Sequence, residues 1–109
     1  MKHFTYEERA EIYKGAINCF GGEEQVVVAI EELSECAKEL CKVLRGKSNR
    51  QNLAEELADA AIMLEQMQIV LGMKKESEAW MDAKVLRLYN NIHPTVKPEV
   101  MEEHLENLA

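Results

Sequence analysis

Turn-forming residues are scarce in this sequence, which has 2 prolines and 5 glycines among 109 residues. An all-β sandwich needs a turn signal about every ten residues, so this scarcity argues against a β fold. Long apolar runs are also missing, since the longest, VVVAI, is far too short to cross a bilayer. The first residues contain no apolar stretch typical of a signal peptide. We therefore expect a helical protein of the cytoplasm with no membrane partner.

Basic residues and cysteines are few as well. The 13 lysines and arginines are outnumbered by 20 acidic residues, and the net charge of −7 disfavours a nucleic acid polymer as partner. The 3 cysteines, Cys19, Cys36 and Cys41, form no C-x-x-C pattern. We expect them to be reduced, buried or half-buried, and without a chemical role.

Apolar residues make up 47% of the chain and recur at the spacing of α-helices. A chain of this length has room for one core, which predicts a single all-α domain over residues 1–109. Capping residues and helix-ending glycines divide it into helices at about 6–20, 23–44, 50–71 and 75–90.

The second and third helices are joined by a short polar loop, which predicts an antiparallel hairpin as the core over residues 23–72. We expect the fourth helix, 75–90, to be the third core helix and Trp80 to lie in the core, with stacking on a nucleotide base as the alternative for Trp80. We expect residues 91–109 to be a C-terminal extension, in which a linker precedes a short helix after Pro98; docking of this segment on another subunit and fraying are the alternatives. Each hairpin helix carries an apolar stripe that we expect to face the other helix. The stripes are Val26, Ile30, Leu33, Ala37, Leu40 and Leu44, and Leu53, Leu57, Ala60, Leu64, Met67 and Leu71.

Two stretches of the hairpin are nearly identical: IEELSECA, residues 30–37 in the second helix of the chain, and AEELADAA, residues 54–61 in the third. Glu32 and Glu35 are three residues apart and share a helix face, and so do Glu56 and Asp59. Each pair begins at the edge of its apolar stripe, so packing of the stripes would bring the four carboxylates together. Their repulsion must then be offset by positive charge.

An all-oxygen cluster suits a hard cation, Mg²⁺ or in its place Mn²⁺, which polarises phosphoryl groups and activates water for phosphoanhydride hydrolysis. Glutamate pairs also occur on solvated helix faces, and this alternative stays open. Two features count against it: the pattern recurs on both helices, and no lysine follows any of the carboxylates at four residues. A di-iron site is disfavoured because it uses Glu-x-x-His, and His3, His93 and His104 lie outside the hairpin.

These residues resemble the MazG-like branch of the all-α nucleoside triphosphate pyrophosphohydrolases, whose signature is EExxE followed, after a variable gap, by ExxD. EELSE supplies Glu31, Glu32 and Glu35, and ELAD supplies Glu56 and Asp59. The resemblance covers about residues 23–90 and implies an oligomeric four-helix-type bundle.

By this resemblance, Glu32, Glu35, Glu56 and Asp59 bind Mg²⁺ and are catalytic, and Glu31 assists from the edge. The implied reaction is attack of water between the α- and β-phosphates of an NTP or dNTP, which gives the nucleoside monophosphate and pyrophosphate.

The same family uses basic residues on the helix after ExxD to hold phosphates. Lys84 and Arg87, with Asn90 one turn further, are the candidates in this sequence, although a solvated helix face is an equal alternative. Asn52 shares a face with Glu56 and is a candidate substrate contact, with a surface amide as the alternative. Lys38 and Lys42 are expected to face solvent.

Apolar residues off the main stripe of the second helix predict pairing with another copy, and family members are dimers or tetramers, so we expect a homodimer or homotetramer. A rival hypothesis is a non-catalytic helical module with an interaction or regulatory role. A helix-turn-helix DNA binder is disfavoured by the acidic charge and the long hairpin helices.

Overall fold

The computed structural model describes residues 1–92, which form four α-helices. These are α1, Tyr6–Phe20; α2, Gly22–Leu44; α3, Arg50–Val70; and α4, Lys74–Ile92. The all-α prediction is confirmed for this part of the chain, and each predicted helix is present within two residues of its expected ends. None of these helices is long and apolar enough to span a membrane. The predicted terminal helix lies outside the described residues.

The helix ends follow from local capping. Thr5 and Glu8 form the expected capping box, since the backbone N–H of Glu8 donates to Thr5 Oγ1 at 3.1 Å and that of Thr5 to Glu8 Oε1 at 2.9 Å. Asn49 caps α3, because its side-chain oxygen accepts hydrogen bonds from the backbone N–H groups of Gln51 and Asn52. Gly46 and Gly72 adopt positive φ angles of 67° and 63°, which lets the chain reverse after α2 and α3.

The chain divides into two compact units, the first from Met1 to Met73 and the second from Lys74 onward. The first unit contains α1 and the hairpin of α2 and α3. The described part of the second unit is α4, which has no buried residue. Trp80 is 62% exposed, so the expectation that it belongs to the core is wrong.

The expected core stripes of the hairpin are wrong for their leucines, since Leu33 is 38% exposed and Leu57 is 49% exposed. Ala60 of the predicted stripe is buried, and so are Ala29 and Met63, which lie outside the predicted stripes. The residues that α2 buries recur four and three apart but lie about 90° round the helix from the leucines. The exposed surface, which we call the leucine face, consists of Ile30, Leu33, Leu40 and Leu44 of α2, Leu57 and Leu64 of α3, and Leu71, which directly follows α3.

Polar side-chain contacts join the three helices of the first unit. Arg9 of α1 binds Glu65 of α3 through both Nε and Nη2, with an Nη2 to Oε2 distance of 3.2 Å, and the hydroxyl of Tyr13 donates to the same carboxylate. Between α2 and α3, Gln66 Nε2 donates to Gln25 Oε1 at 2.8 Å, and both side chains are buried. The packing face of the hairpin therefore includes a buried polar pair, whereas apolar stripes were expected there.

Candidate metal centre

The Gln25–Gln66 pair sets the register of the two hairpin helices. Glu32 is seven residues after Gln25 on α2, and Asp59 is seven residues before Gln66 on α3. In an antiparallel hairpin this count places Glu32 and Asp59 at the same level along the helix axes. It also places Glu56 one turn further toward the loop, on the opposite helix. The register thus brings carboxylates of both helices to one place.

Glu32, Glu56 and Asp59 form a compact acidic triad. One carboxylate oxygen of each lies within 4.8 Å of the oxygens of the other two. Glu32 and Glu56 are half-buried, because both belong to the face on which α2 and α3 pack together. The sequence predicted that four carboxylates converge, and the structure brings three of them together, through a different packing face from the one expected.

Burial and the neighbouring charges raise the pKa of Glu32 and of Glu56. Desolvation is the largest cause in both, followed for Glu32 by the charges of Asp59 and Glu56 and for Glu56 by those of Asp59 and Glu35. A hydrogen bond between Glu32 and Asp59 further favours protonated Glu32. Since the pKa in the folded state exceeds that in the unfolded chain, these groups contribute stability at low pH that is lost as the pH rises through the raised pKa.

The triad has the properties of a site for a hard cation. Its donors are all carboxylate oxygens, which Mg²⁺ and Mn²⁺ prefer over softer metals. Glu56 Oε2 is enclosed by the protein and accepts no hydrogen bond, so this oxygen is held without a positive partner. A divalent cation would relieve both the repulsion among the three groups and the unpaired oxygen.

Glu35, Glu31 and Asn52 are less closely involved in this arrangement. Glu35 is exposed, and its charge raises the pKa of Glu32 and Glu56, yet it is not one of the three oxygens that converge. Glu31 is exposed on α2. Asn52 is exposed in the first turn of α3, where its backbone N–H donates to the capping Asn49. Their roles at the metal or the substrate stay predictions.

The predicted phosphate-binding residues Lys84, Arg87 and Asn90 lie on α4. All three are exposed and belong to the second compact unit. Their role toward the triad, which lies in the first unit, stays a prediction.

Sequence reasoning missed Glu39. This residue is 7% exposed and lies on the inner face of α2, two turns beyond Glu32. Its Oε1 accepts from Lys42 Nζ at 2.9 Å. Lys42 was expected to face solvent and does so only in part, with its side chain 32% exposed, whereas Lys38 is exposed as expected. The recurrence of Gln25, Ala29, Glu32, Cys36 and Glu39 at four- and three-residue spacing was the available signal. Because this face of α2 consists of small and polar residues, a search for hydrophobic periodicity does not detect it.

The cysteines take no part in the triad. All three are free, as expected, but only Cys36 is buried, whereas Cys19 and Cys41 are exposed. The prediction of burial is therefore wrong for two of them.

Comparison with known proteins adds no relative. No family model matches the chain, and no curated protein or solved structure matches it significantly. The resemblance to the MazG-like enzymes therefore depends on the EExxE and ExxD residues themselves and stays a prediction.

Proposed function

We propose that the chain is a Mg²⁺-dependent nucleoside triphosphate pyrophosphohydrolase. The observation that carries the proposal is the meeting of Glu32, Glu56 and Asp59 from two helices, with oxygens within 4.8 Å of one another and Glu56 Oε2 buried without a partner. In a structural ion pair, a lysine or arginine would lie beside the carboxylates. The charges that shift the pKa of Glu32 and Glu56 all belong to other carboxylates.

The proposed reaction is attack of water on the α-phosphorus of an NTP or dNTP, with pyrophosphate as the leaving group and the nucleoside monophosphate as the second product. Glu32, Glu56 and Asp59 would hold Mg²⁺, which when bound supplies charge neutralisation of the phosphate oxygens. Glu35 stands exposed beside the triad and is the fourth predicted ligand.

The proposal includes a second copy of the chain covering the leucine face. An exposed apolar surface that extends along both hairpin helices is typical of an oligomer interface. The helical positions of Glu35 and Asp59 lie on the side of the hairpin opposite that face, so a partner bound there leaves the carboxylates accessible to a nucleotide. A homodimer or homotetramer is therefore compatible with the proposed site.

The test is release of pyrophosphate from a panel of ribo- and deoxynucleoside triphosphates, with and without Mg²⁺. Wild type should release pyrophosphate only with Mg²⁺, and the Glu35→Gln/Glu56→Gln variant should release none. A matched control, Glu23→Gln/Glu24→Gln, removes the same number of charges from the exposed first turn of α2 and should keep the wild-type rate.

Circular dichroism must show that all three proteins are folded. Folded wild type that is inactive on every nucleotide would contradict the proposal and favour the non-catalytic interaction module. If the Glu35→Gln/Glu56→Gln variant kept the wild-type activity, the triad would have no role in the reaction.

A further inference from the structure

One side of α4 carries an apolar stripe that is exposed to solvent. Its members, Met81, Val85, Leu88 and Ile92, recur four, three and four residues apart and so share a helix face. Their exposed fractions are 58%, 40%, 58% and 43%, and α4 has no buried residue. Most of the stability of a helix in a protein comes from packing of such a face, so the stripe requires a partner along its length.

Basic side chains lie directly beside this stripe. Lys84 and Arg87 are three residues apart on one edge of it, and neither forms an ion pair with another residue of the range 1–92. Stripe and cations meet in a groove of about 450 Å³, which is lined by Ser77, Trp80, Met81, Lys84, Val85 and Leu88. An occupant that fits this groove has an apolar side flanked by acidic residues.

The end of the same chain has this composition. Residues 99–109, EVMEEHLENLA, include four glutamates but no lysine or arginine. Met101, Leu105 and Leu108 are four and three residues apart, which is the spacing of one helix face and also the spacing of the stripe on α4. The apolar and the charged groups of this segment therefore both complement α4.

The lengths of the two segments also match. The stripe from Met81 to Ile92 extends over about 16 Å, and residues 99–109 would extend over about 15 Å as a helix. Residues 93–98 connect them, a length typical of the connection between two antiparallel helices. A segment tethered this closely is present at a high effective concentration, which favours it over a second copy of the chain.

We propose that residues 99–109 bind the stripe of α4 in the same chain, antiparallel to it. Met101, Leu105 and Leu108 cover the apolar side chains, and the glutamates neutralise Lys84 and Arg87. This binding does not involve the metal centre, so its failure would leave the proposed function standing.

Trp80, the single tryptophan of the chain, lies in the groove and reports whether the groove is occupied. The experiment measures the emission wavelength of Trp80 and its quenching by acrylamide in the full chain. Relative to wild type, Leu105→Gln/Leu108→Gln should shift the emission to longer wavelength and increase the quenching, because the groove is opened to water. The matched control Thr95→Gln/Asn107→Gln alters polar residues of the same terminal region and should resemble wild type.

Two further measurements separate the contribution of charge from that of a second copy. Glu102→Gln/Glu106→Gln should give a smaller shift in the same direction, and about 1 M sodium chloride should remove its difference from wild type, because salt screens exposed charges. Dilution of wild type through dissociation of any assembly should leave the emission of Trp80 unchanged, since a contact within one chain does not depend on concentration.

Equal quenching of Trp80 in wild type and in Leu105→Gln/Leu108→Gln would overturn the proposal, and so would an unchanged spectrum in Glu102→Gln/Glu106→Gln. Emission that shifts when wild type is diluted would overturn it in favour of a second copy on α4. Far-ultraviolet circular dichroism serves as the check that each variant is folded.

Discussion

The buried amide pair Gln25–Gln66 gives a sharp test of how the hairpin is held. Both side chains are buried and joined by a hydrogen bond of 2.8 Å. Replacing one partner, as in Gln66→Leu, leaves the other amide buried with a lost hydrogen bond, which costs about 1–3 kcal/mol in the free energy of unfolding. For a domain of this size each kcal/mol lowers the melting temperature by about 4–8 °C. Gln25→Leu should behave in the same way.

The double variant Gln25→Leu/Gln66→Leu should be more stable than either single variant. Two apolar groups of similar shape leave no unpaired amide, so its stability should return close to that of wild type. The assay is thermal and urea unfolding at one fixed protein concentration, because an oligomer unfolds in a concentration-dependent way. Gln51→Leu, at an exposed position of α3, is the control and should change stability by less than about 0.5 kcal/mol. Single variants as stable as wild type, or a double variant whose losses simply add, would refute the reasoning.

The same variants test whether this pair specifies the register that builds the metal centre. A buried polar pair favours one alignment of two helices, whereas leucines would allow others. We expect the double variant to bind Mn²⁺ more weakly than wild type although its stability is near normal. Equal Mn²⁺ affinity would show that the remaining contacts suffice to fix the register.

Three further outcomes are expected. Without metal, the stability of wild type in urea unfolding should fall as the pH rises above the ordinary carboxyl range, because the pKa of Glu56 is raised in the folded protein. The Glu56→Gln variant should remain helical and show a smaller fall in stability. It should release no pyrophosphate. Asn49→Ala removes the cap of α3 and should lower stability by about 1 kcal/mol in thermal unfolding, whereas Ser48→Ala, which makes no capping bond, should have little effect. Leu44→Glu on the leucine face should shift the mass in sedimentation equilibrium to that of the monomer, whereas Ile12→Glu, exposed on α1, should not. The first argument would be contradicted if Glu56→Gln had the same dependence of stability on pH as wild type. The second would be contradicted if Asn49→Ala and Ser48→Ala lowered stability equally, and the third if Leu44→Glu kept the mass of the wild-type assembly.

The helices were largely determined by local sequence. Thr5 with Glu8, Asn49, Gly46 and Gly72 act on their own neighbours through capping bonds and backbone conformation, so their effect could be predicted without the fold. The grouping of carboxylates on one side of each helix follows equally from the helical period.

Only the tertiary structure decided which side of each hairpin helix faces the other. Periodicity shows which residues share a face, but it does not show what that face contacts. Here the inner face carries Gln25, Ala29 and Glu39, and the larger apolar residues such as Leu33 and Leu57 are exposed.

The same ambiguity explains why the burial of Glu39, its pairing with Lys42 and the exposure of Trp80 were not predicted. The sequence therefore predicted that carboxylates of the two helices meet, whereas the choice of Glu32, Glu56 and Asp59 and the unpaired oxygen of Glu56 depend on how the two helices pack.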